Sequence, residues 1–403
     1  MFASPCRCSP GTDNPFHRPA VVLYWSRPSK KGGESAVKKL PVLLLSLALL
    51  LLPAAALAGL RLYSFPPDEP PQKLVERGFA VPAEECVITL TFAGDCTLGC
   101  EPEVKGRSGS FAKTVAREGY AYPFSGLQAL FAADDATLVN LEGVLSLDAS
   151  NRAEKEFTFI GDPAYTEILT LGSVECVTLA NNHSRDFGTR GYNDTRTALA
   201  AAGIDHVSTG EVLVVEKDGC RIGITASGFG FDEKEEARLA AQMQALREQG
   251  CLAIVHVMHM GTEYAPRHSA HQQSAAEAVA ALGADLVVGH HPHIAQDAAL
   301  IGDTPVFYSL GNCCFGGNLN PSVREGLVLT AAFRFSQGSY AGVEWTLYPI
   351  RTTGGEVGND YRPTLTTGEA GRALAEKLAK STGLALGEYT EETGAWRPVL
   401  PTP

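Results

Sequence analysis

The chain of 403 residues is 45% hydrophobic and 19% charged, an ordinary globular balance that suffices for one large α/β domain or two smaller ones. Its formal charge is −12; without residues 1–36, which hold five Lys/Arg and two Asp/Glu, 28 basic residues face 43 acidic ones, a net of −15. Such an acidic body excludes nucleic acid as the main partner, because no basic field offsets the phosphates, and it repels any polyanion unless metal ions supply local positive charge.

Residues 1–36 are rich in Pro, Ser, Arg and Gly, carry Cys6 and Cys8, and resemble neither a domain nor a targeting signal. Lys31-Gly32-Gly33-Glu34 is what the run AAAGGAGGTGA encodes, a bacterial ribosome-binding pattern, and Val37 then reads as a GTG start codon. We therefore expect residues 1–36 to be a non-native or disordered leader; peptides recovered from inside that stretch would overturn the idea. Residues 37–60 read as a signal or membrane anchor. Val37-Lys38-Lys39 precedes the uncharged, leucine-rich run Pro41–Leu60, with small residues at Ala54-Ala55-Ala56-Leu57-Ala58. As a helix such a run spans about 30 Å, enough to cross a bilayer. Lys38 and Lys39 would stay inside and the body would lie outside the cell membrane. The alternative is secretion after cleavage near Ala58. Residues 61–84, rich in Pro and Glu, read as a linker.

From Val87 onward, β-branched runs alternate with amphipathic stretches. The pattern predicts strands at Val87–Ala93, Ala136–Leu141, Cys176–Ala180, Arg221–Ala226, Leu252–Met258 and Asp285–Gly289. Between them it predicts helices at Phe124–Ala133, Thr189–Ala202, Glu233–Glu248 and Gln272–Leu282. Val306–Leu310 and the paired runs Gly326–Phe335 and Tyr340–Pro349 form a later all-strand stretch, and Glu369–Lys380 reads as a last helix outside the core. This alternation is that of a layered α/β fold with mixed sheets. Cys86, Cys176 and Cys251 sit in apolar runs and read as buried thiols; no spacing matches a zinc ribbon, and no pairing is assigned.

Polar residues gather where these strands end. Gly94-Asp95 follows the first strand, Asn140-Leu141-Glu142 the second, Asn182-His183 the third, His259 the fifth, and His291 and His293 the sixth. Seven of the ten histidines fall between His256 and His293. Ligands of open α/β sheets bind at the carboxyl ends of strands, and histidine is the side chain most often recruited for transition metals. Five strand ends thus bring carboxylates, amides and imidazoles to one edge, as a binuclear metal site requires. His256, His268 and His271 read as surface or structural residues.

Gly94-Asp95, Asn140-Leu141-Glu142, Ala180-Asn181-Asn182-His183, His259-Met260-Gly261-Thr262-Glu263-Tyr264, His290-His291-Pro292-His293 and Ser309-Leu310-Gly311-Asn312 resemble, in order, the motifs of the CapA family. That family is named for bacterial poly-γ-glutamate capsule biosynthesis and is similar to the calcineurin-like metallophosphoesterases. The resemblance implies a layered αββα sandwich of the metallophosphoesterase type over residues 85–352, followed by a tail with one helix over 353–403. It implies metal ligation by Asp95, by Glu142 as the bridging carboxylate, and by Asn182, His259, His291 and His293, the last two serving different ions. His290 is implied not to ligate, and Ser309–Asn312 to be scaffold or pocket wall. The phosphoesterases usually carry Asp-x-His and a bridging Asp; here Asp95-Cys96-Thr97 lacks that imidazole and the bridge is Glu142.

The expected cofactor is one or two divalent ions, with Mn²⁺, Fe or Zn²⁺ suiting a mixed nitrogen and oxygen set. His183 is the expected proton donor to the leaving group, Arg185 the partner of an anionic substrate group, and Asp186 or Glu263 the orienter of a histidine. Two functions follow. One is an envelope-facing metal hydrolase or transferase acting on an anionic polymer or phosphoester. The other is a non-catalytic component of a capsule synthesis and export complex, in contact with its other proteins.

Overall fold

Side chains on alternate positions of the central strands sort onto two faces. In the strand Ala253–His259, Ala253, Val255 and Val257 face a second sheet, whereas Ile254 and Met258 pack with Leu239, Met243 and Leu246 of the helix Glu233–Glu248. In the strand Glu85–Thr97, Ile88, Leu90 and Phe92 face the first sheet, whereas Ala93 and Cys96 pack toward helices. Strands buried on both faces explain the near-continuous apolar runs in the sequence. Four layers result. Helices Glu233–Glu248 and Ala270–Ala281 cover one sheet; Phe111–Glu118, Thr166–Leu171 and Gly188–Ala202 cover the other. This is the αββα arrangement expected from the sequence. The computed structural model describes residues 60–65 and 84–402.

The seven-stranded sheet runs in the order Leu60–Phe65, Val212–Lys217, Cys220–Ser227, Ala253–His259, Leu286–His290, Thr304–Phe307, Ala298–Ile301. The ten-stranded sheet runs Ala385–Thr390, Ala395–Val399, Ser339–Arg351, Glu325–Ser336, Glu85–Thr97, Ala136–Leu141, Cys176–Thr178, Asp205–Val207, with Asn312–Phe315 and Thr364–Leu365 attached to its long strands. The seven-stranded sheet is parallel from Cys220–Ser227 to Thr304–Phe307 and antiparallel toward both edges, whereas the ten-stranded sheet is parallel from Glu85–Thr97 to its edge at Asp205–Val207 and antiparallel on the other side.

Two segments differ from the expectation. Leu60–Phe65, expected as the end of the apolar run and the start of a linker, is an edge strand paired antiparallel with Val212–Lys217. The Ser64 hydroxyl ties it across to the other sheet, donating to Asp205 Oδ1 at 3.0 Å and the His206 carbonyl at 2.8 Å. A strand of six residues beside a Pro-rich stretch carries too short a pattern to be read. The leader, residues 41–59 of the apolar run and the rest of the linker lie outside the described residues, among which no helix is long and apolar enough to cross a membrane.

The C-terminal helix is the second difference. Gly368–Thr382 buries Leu374, Ala375, Leu378 and Ala379 in the core between the sheets instead of lying outside it. Beyond it Ala395–Val399 pairs with Ser339–Arg351 and buries Trp396 fully, its Nε1 donating to the Leu386 carbonyl. The tail covers a long strand that would otherwise present an open edge. Elsewhere the helix expected over Phe124–Ala133 narrows to Gln128–Phe131, and the helices Phe111–Glu118 and Thr166–Leu171 and the strands Asp205–Val207 and Val212–Lys217 stand where no element was expected.

Candidate metal centre

The chain after each parallel strand turns toward one pole of the two sheets. The strand Glu85–Thr97 carries Asp95 there, and the Asp95 N–H donates to the Gly311 carbonyl at 2.9 Å. A Cβ on Gly94 would lie 1.9 Å from that oxygen, so glycine is required for the Ser309–Asn312 segment to lie against the strand. That motif is therefore scaffold, with one exception: Asn312 Oδ1 lies 3.0 Å from His293 Nδ1. Asn140 ends the next strand and donates from Nδ2 to Asp95 Oδ1 at 2.8 Å. Thr97 stands where the phosphoesterases carry histidine. Its hydroxyl donates to the main-chain carbonyl of Glu142 at 2.9 Å, so it holds the bridging residue in place and offers no imidazole.

Three sets of candidate ligand atoms lie close together, and two of them share the Glu142 carboxylate. Glu142, His259 and His291 offer ligand atoms within 4.8 Å of one another, as do Asp95, Glu142 and His293. In the first group His259 Nε2 lies 2.8 Å from Asn182 Oδ1, 3.2 Å from His291 Nδ1 and 3.6 Å from Glu142 Oε1. In the second, His293 Nδ1 lies 3.2 Å from Asp95 Oδ2, and its Nε2 is 4.0 Å from Glu142 Oε1. The six residues expected as ligands thus meet; His291 and His293 belong to different Glu142 sets, and both join Glu263 in the third. Both have positive φ, 97° and 56°, and so does Tyr264 beside them at 59°. Backbone strain of this kind costs about 1–3 kcal/mol per residue and persists where the surroundings enforce it.

Charge here is poorly balanced by the protein alone. Glu142 is fully buried and neither of its carboxylate oxygens has a hydrogen-bond partner. Burial pushes its carboxyl up to about 8, with Asp95 and Asp186 adding to the shift and His293 opposing it. Burial also pushes Asp95 up, but the nearby imidazoles of His290 and His293 prevail and hold it well below the usual carboxylate range. Against the opposing effect of burial, Glu142 and Asp95 raise His293 to about 10. Burial keeps His259 and His291 neutral, the latter lowered to about 4. An unpartnered buried carboxylate costs several kcal/mol in the absence of a cation. Neutral imidazoles, an amide oxygen and two carboxylates facing one another form the donor set of a divalent transition-metal site, and the residues present fit such an ion.

His183 sits beside this set, its Nε2 3.8 Å from Glu142 Oε1. Its Nδ1 lies 2.7 Å from Asp186 Oδ2, which also accepts the Phe159 N–H at 2.7 Å. Lys155 Nζ lies 3.1 Å from the same Nδ1, and Nε2 faces the pocket. Lys155, which nothing in the sequence singles out, bonds Asp186 Oδ1 at 2.5 Å and the Asn182 carbonyl at 2.9 Å. Asp186, an expected orienter of a histidine, is thus in contact with His183. Glu263, the other candidate, is exposed and offers a ligand atom within 4.8 Å of those of His291 and His293. Arg185 lies away from the ligand cluster, its Cζ 4.2 Å from the centre of the Tyr192 ring.

The remaining histidines divide. His256 is buried between the Thr225 and Ser227 hydroxyls, at 3.0 and 2.9 Å. His268 binds Asp297 at 3.0 Å and stacks on Tyr308; His271 is exposed. His290, implied not to ligate, is fully buried with both ring nitrogens lacking hydrogen-bond partners, and its Nδ1 lies 3.4 Å from Asp95 Oδ1. The signal for it in the sequence is the strand parity it shares with Leu286 and Val288, which turns it toward the second sheet. Asn181 is a further residue that sequence reasoning misses; its Nδ2 donates to Asn140 Oδ1 and the Leu141 carbonyl, both at 2.9 Å.

A family model described as the bacterial capsule synthesis protein PGA_cap matches residues 89–317, more than half of the chain. The PGA biosynthesis protein CapA of Bacillus subtilis is 26% identical over 250 residues, covering 57% of this chain and 63% of that protein. The capsule biosynthesis protein CapA of Bacillus anthracis is 28% identical over 254 residues, covering 57% and 60%. A probable polyglutamine synthesis accessory protein of Mycobacterium tuberculosis is 27% identical over 211 residues, covering 45% and 55%. The chain thus spans 63% or less of the length of each of these curated relatives.

Proposed function

The chain belongs to the bacterial capsule synthesis protein family, and from that premise we propose that it acts in the synthesis or export of a capsular anionic polymer of the poly-γ-glutamate type through a divalent-metal hydrolase or transferase site. The observation that carries this reading is Glu142, buried without a hydrogen-bond partner between two groups of metal donors. Asn182, His259, His291 and Glu142 would hold one ion; Asp95, His293 and Glu142 would hold a second. A divalent ion, when bound, supplies electrophilic assistance at a scissile carbonyl or phosphoryl group. His183 in its doubly protonated form delivers the Nε2 proton to the leaving group, and Asp186, held by Lys155 and the Phe159 N–H, accepts from Nδ1 and orients the ring. Mn²⁺, Fe and Zn²⁺ all suit this donor set.

The apolar run beginning at Pro41 holds this domain at the outer face of the cell membrane in the same reading, supported by its length and by Lys38 and Lys39 before it. Capsule synthesis and export proteins are then its neighbours.

The test uses the full chain, its bound metal and two substrates, a generic phosphodiester and poly-γ-glutamate, each with and without chelator. Metal-dependent turnover that disappears in His183→Ala supports the reading. Folded protein that binds no divalent metal and turns over neither substrate sinks it. One observation favours a second reading, a binding component without catalysis: Thr97 gives the Asp95 group one imidazole fewer than the phosphoesterases have.

A further inference from the structure

Beside the metal donors lies a polar cleft of about 570 Å³, within the range of small-molecule sites. It opens at the carboxyl ends of the last two parallel strands of the ten-stranded sheet, Cys176–Thr178 and Asp205–Val207. Asn181 and Asn182 form the end shared with the metal centre, where Asn182 Oδ1 meets His259. Farther along, Tyr192 and Arg196 stand four residues apart on one face of the helix Gly188–Ala202. Two guanidinium groups flank the Tyr192 ring, Arg185 at 4.2 Å and Arg196 at 5.6 Å from its centre.

The two arginines are not equivalent. Arg196 is paired with the buried carboxylate of Glu211, Nη2 to Oε1 at 3.1 Å. Arg185 is exposed and has no carboxylate within 4 Å among the described residues. Stacking on Tyr192 fixes its plane and leaves its hydrogen-bond donors to the cleft. In a chain of net charge −12, an anionic polymer needs such a local cation to approach.

We propose that this cleft is a carboxylate subsite, in which Arg185 on the Tyr192 platform, with Arg196 behind it, binds the free carboxylates of a γ-linked polymer whose neighbouring backbone amide lies at the metal centre. The inference rests on the reading of the site as one that takes an anionic polymer. Glu211 tempers the subsite by occupying Arg196.

The experiment measures binding of a fluorescent γ-glutamyl oligomer to the full chain in the presence of chelator, so that the result is independent of any metal-dependent turnover. The same oligomer with its carboxylates amidated, and a phosphodiester oligomer, serve as competitors. Arg185→Gln is expected to weaken binding about tenfold, the worth of one charge-assisted hydrogen bond. Glu211→Gln, which frees Arg196, is expected to tighten it about threefold, an effect that a purely structural residue does not produce. The amidated oligomer should not compete. Unchanged binding in Arg185→Gln, equal competition by the amidated oligomer, or stronger competition by the phosphodiester would each overturn the subsite. Carboxylate-selective binding without metal-dependent turnover would uphold the subsite and remove the hydrolase reading alone.

Discussion

His256 and His259 leave the same strand on opposite faces, and their surroundings are opposite too. Both are buried. His256 faces the helix side, where two hydroxyls meet its two nitrogens. His259 faces the gap between the sheets, where an amide oxygen, another imidazole and an unpartnered carboxylate crowd its Nε2. The first environment is complete without a ligand; the second leaves the Glu142 carboxylate without a partner. Burial of a histidine therefore carries little information on function here, and the balance of donors and acceptors around it carries most.

The largest expected effect breaks the second environment alone. Glu142→Ala should weaken the binding of each ion by more than about a hundredfold, since even partners one shell removed cost ten- to a hundredfold. Metal content measured after gel filtration checks it, and retention of both ions would erase the distinction between the two histidines.

His256→Ala should do the reverse. Losing a buried ring and leaving two hydroxyls unpartnered costs about 2–4 kcal/mol of stability with metal content per folded molecule unchanged. Urea unfolding with parallel metal analysis would show this.

Acid sharpens the contrast further. Burial lowers His256 to about 3 from an ordinary 6.5. Between those values the unfolded chain binds the proton and the folded one refuses it, so stability falls as pH drops below 6.5. The slope from this residue is about 1.4 kcal/mol per pH unit, and it should vanish in His256→Ala. An unchanged slope in the variant would show that His256 is not the group responsible.

The smallest effect is expected from Thr97→Val, which keeps the shape but removes the donor to the Glu142 carbonyl. Stability should fall by about 1 kcal/mol and metal affinity by about tenfold. Isothermal titration with Mn²⁺ and Zn²⁺ would detect it.

Most of the ligand set is legible in the sequence, because parallel strands announce themselves as apolar runs and their carboxyl ends then mark where Asp95, Glu142, Asn182, His259, His291 and His293 must lie. Lys155 is not, since it comes from an irregular loop and meets Asp186 only through tertiary folding. The place of the C-terminal helix escapes the sequence for a similar reason. Its apolar face at Leu374 and Leu378 is modest, and the strand edge that it helps to cover lies far back in the chain. Family resemblance sets His290 aside, although strand parity turns it inward beside Asp95.

Local pattern determined the alternation of strands and helices and the gathering of carboxylates, amides and imidazoles at strand ends, because side-chain periodicity and strand ends are properties of short stretches of sequence; the αββα layering and the choice of candidate metal donors came from the family resemblance. Tertiary structure alone decided which donors share Glu142, that Thr97 holds a carbonyl where an imidazole is usual, and that Arg185 joins Tyr192 and Arg196 in a neighbouring cleft. Those outcomes depend on how two sheets meet at one pole, and the distances across that junction are set by packing between segments remote in the chain.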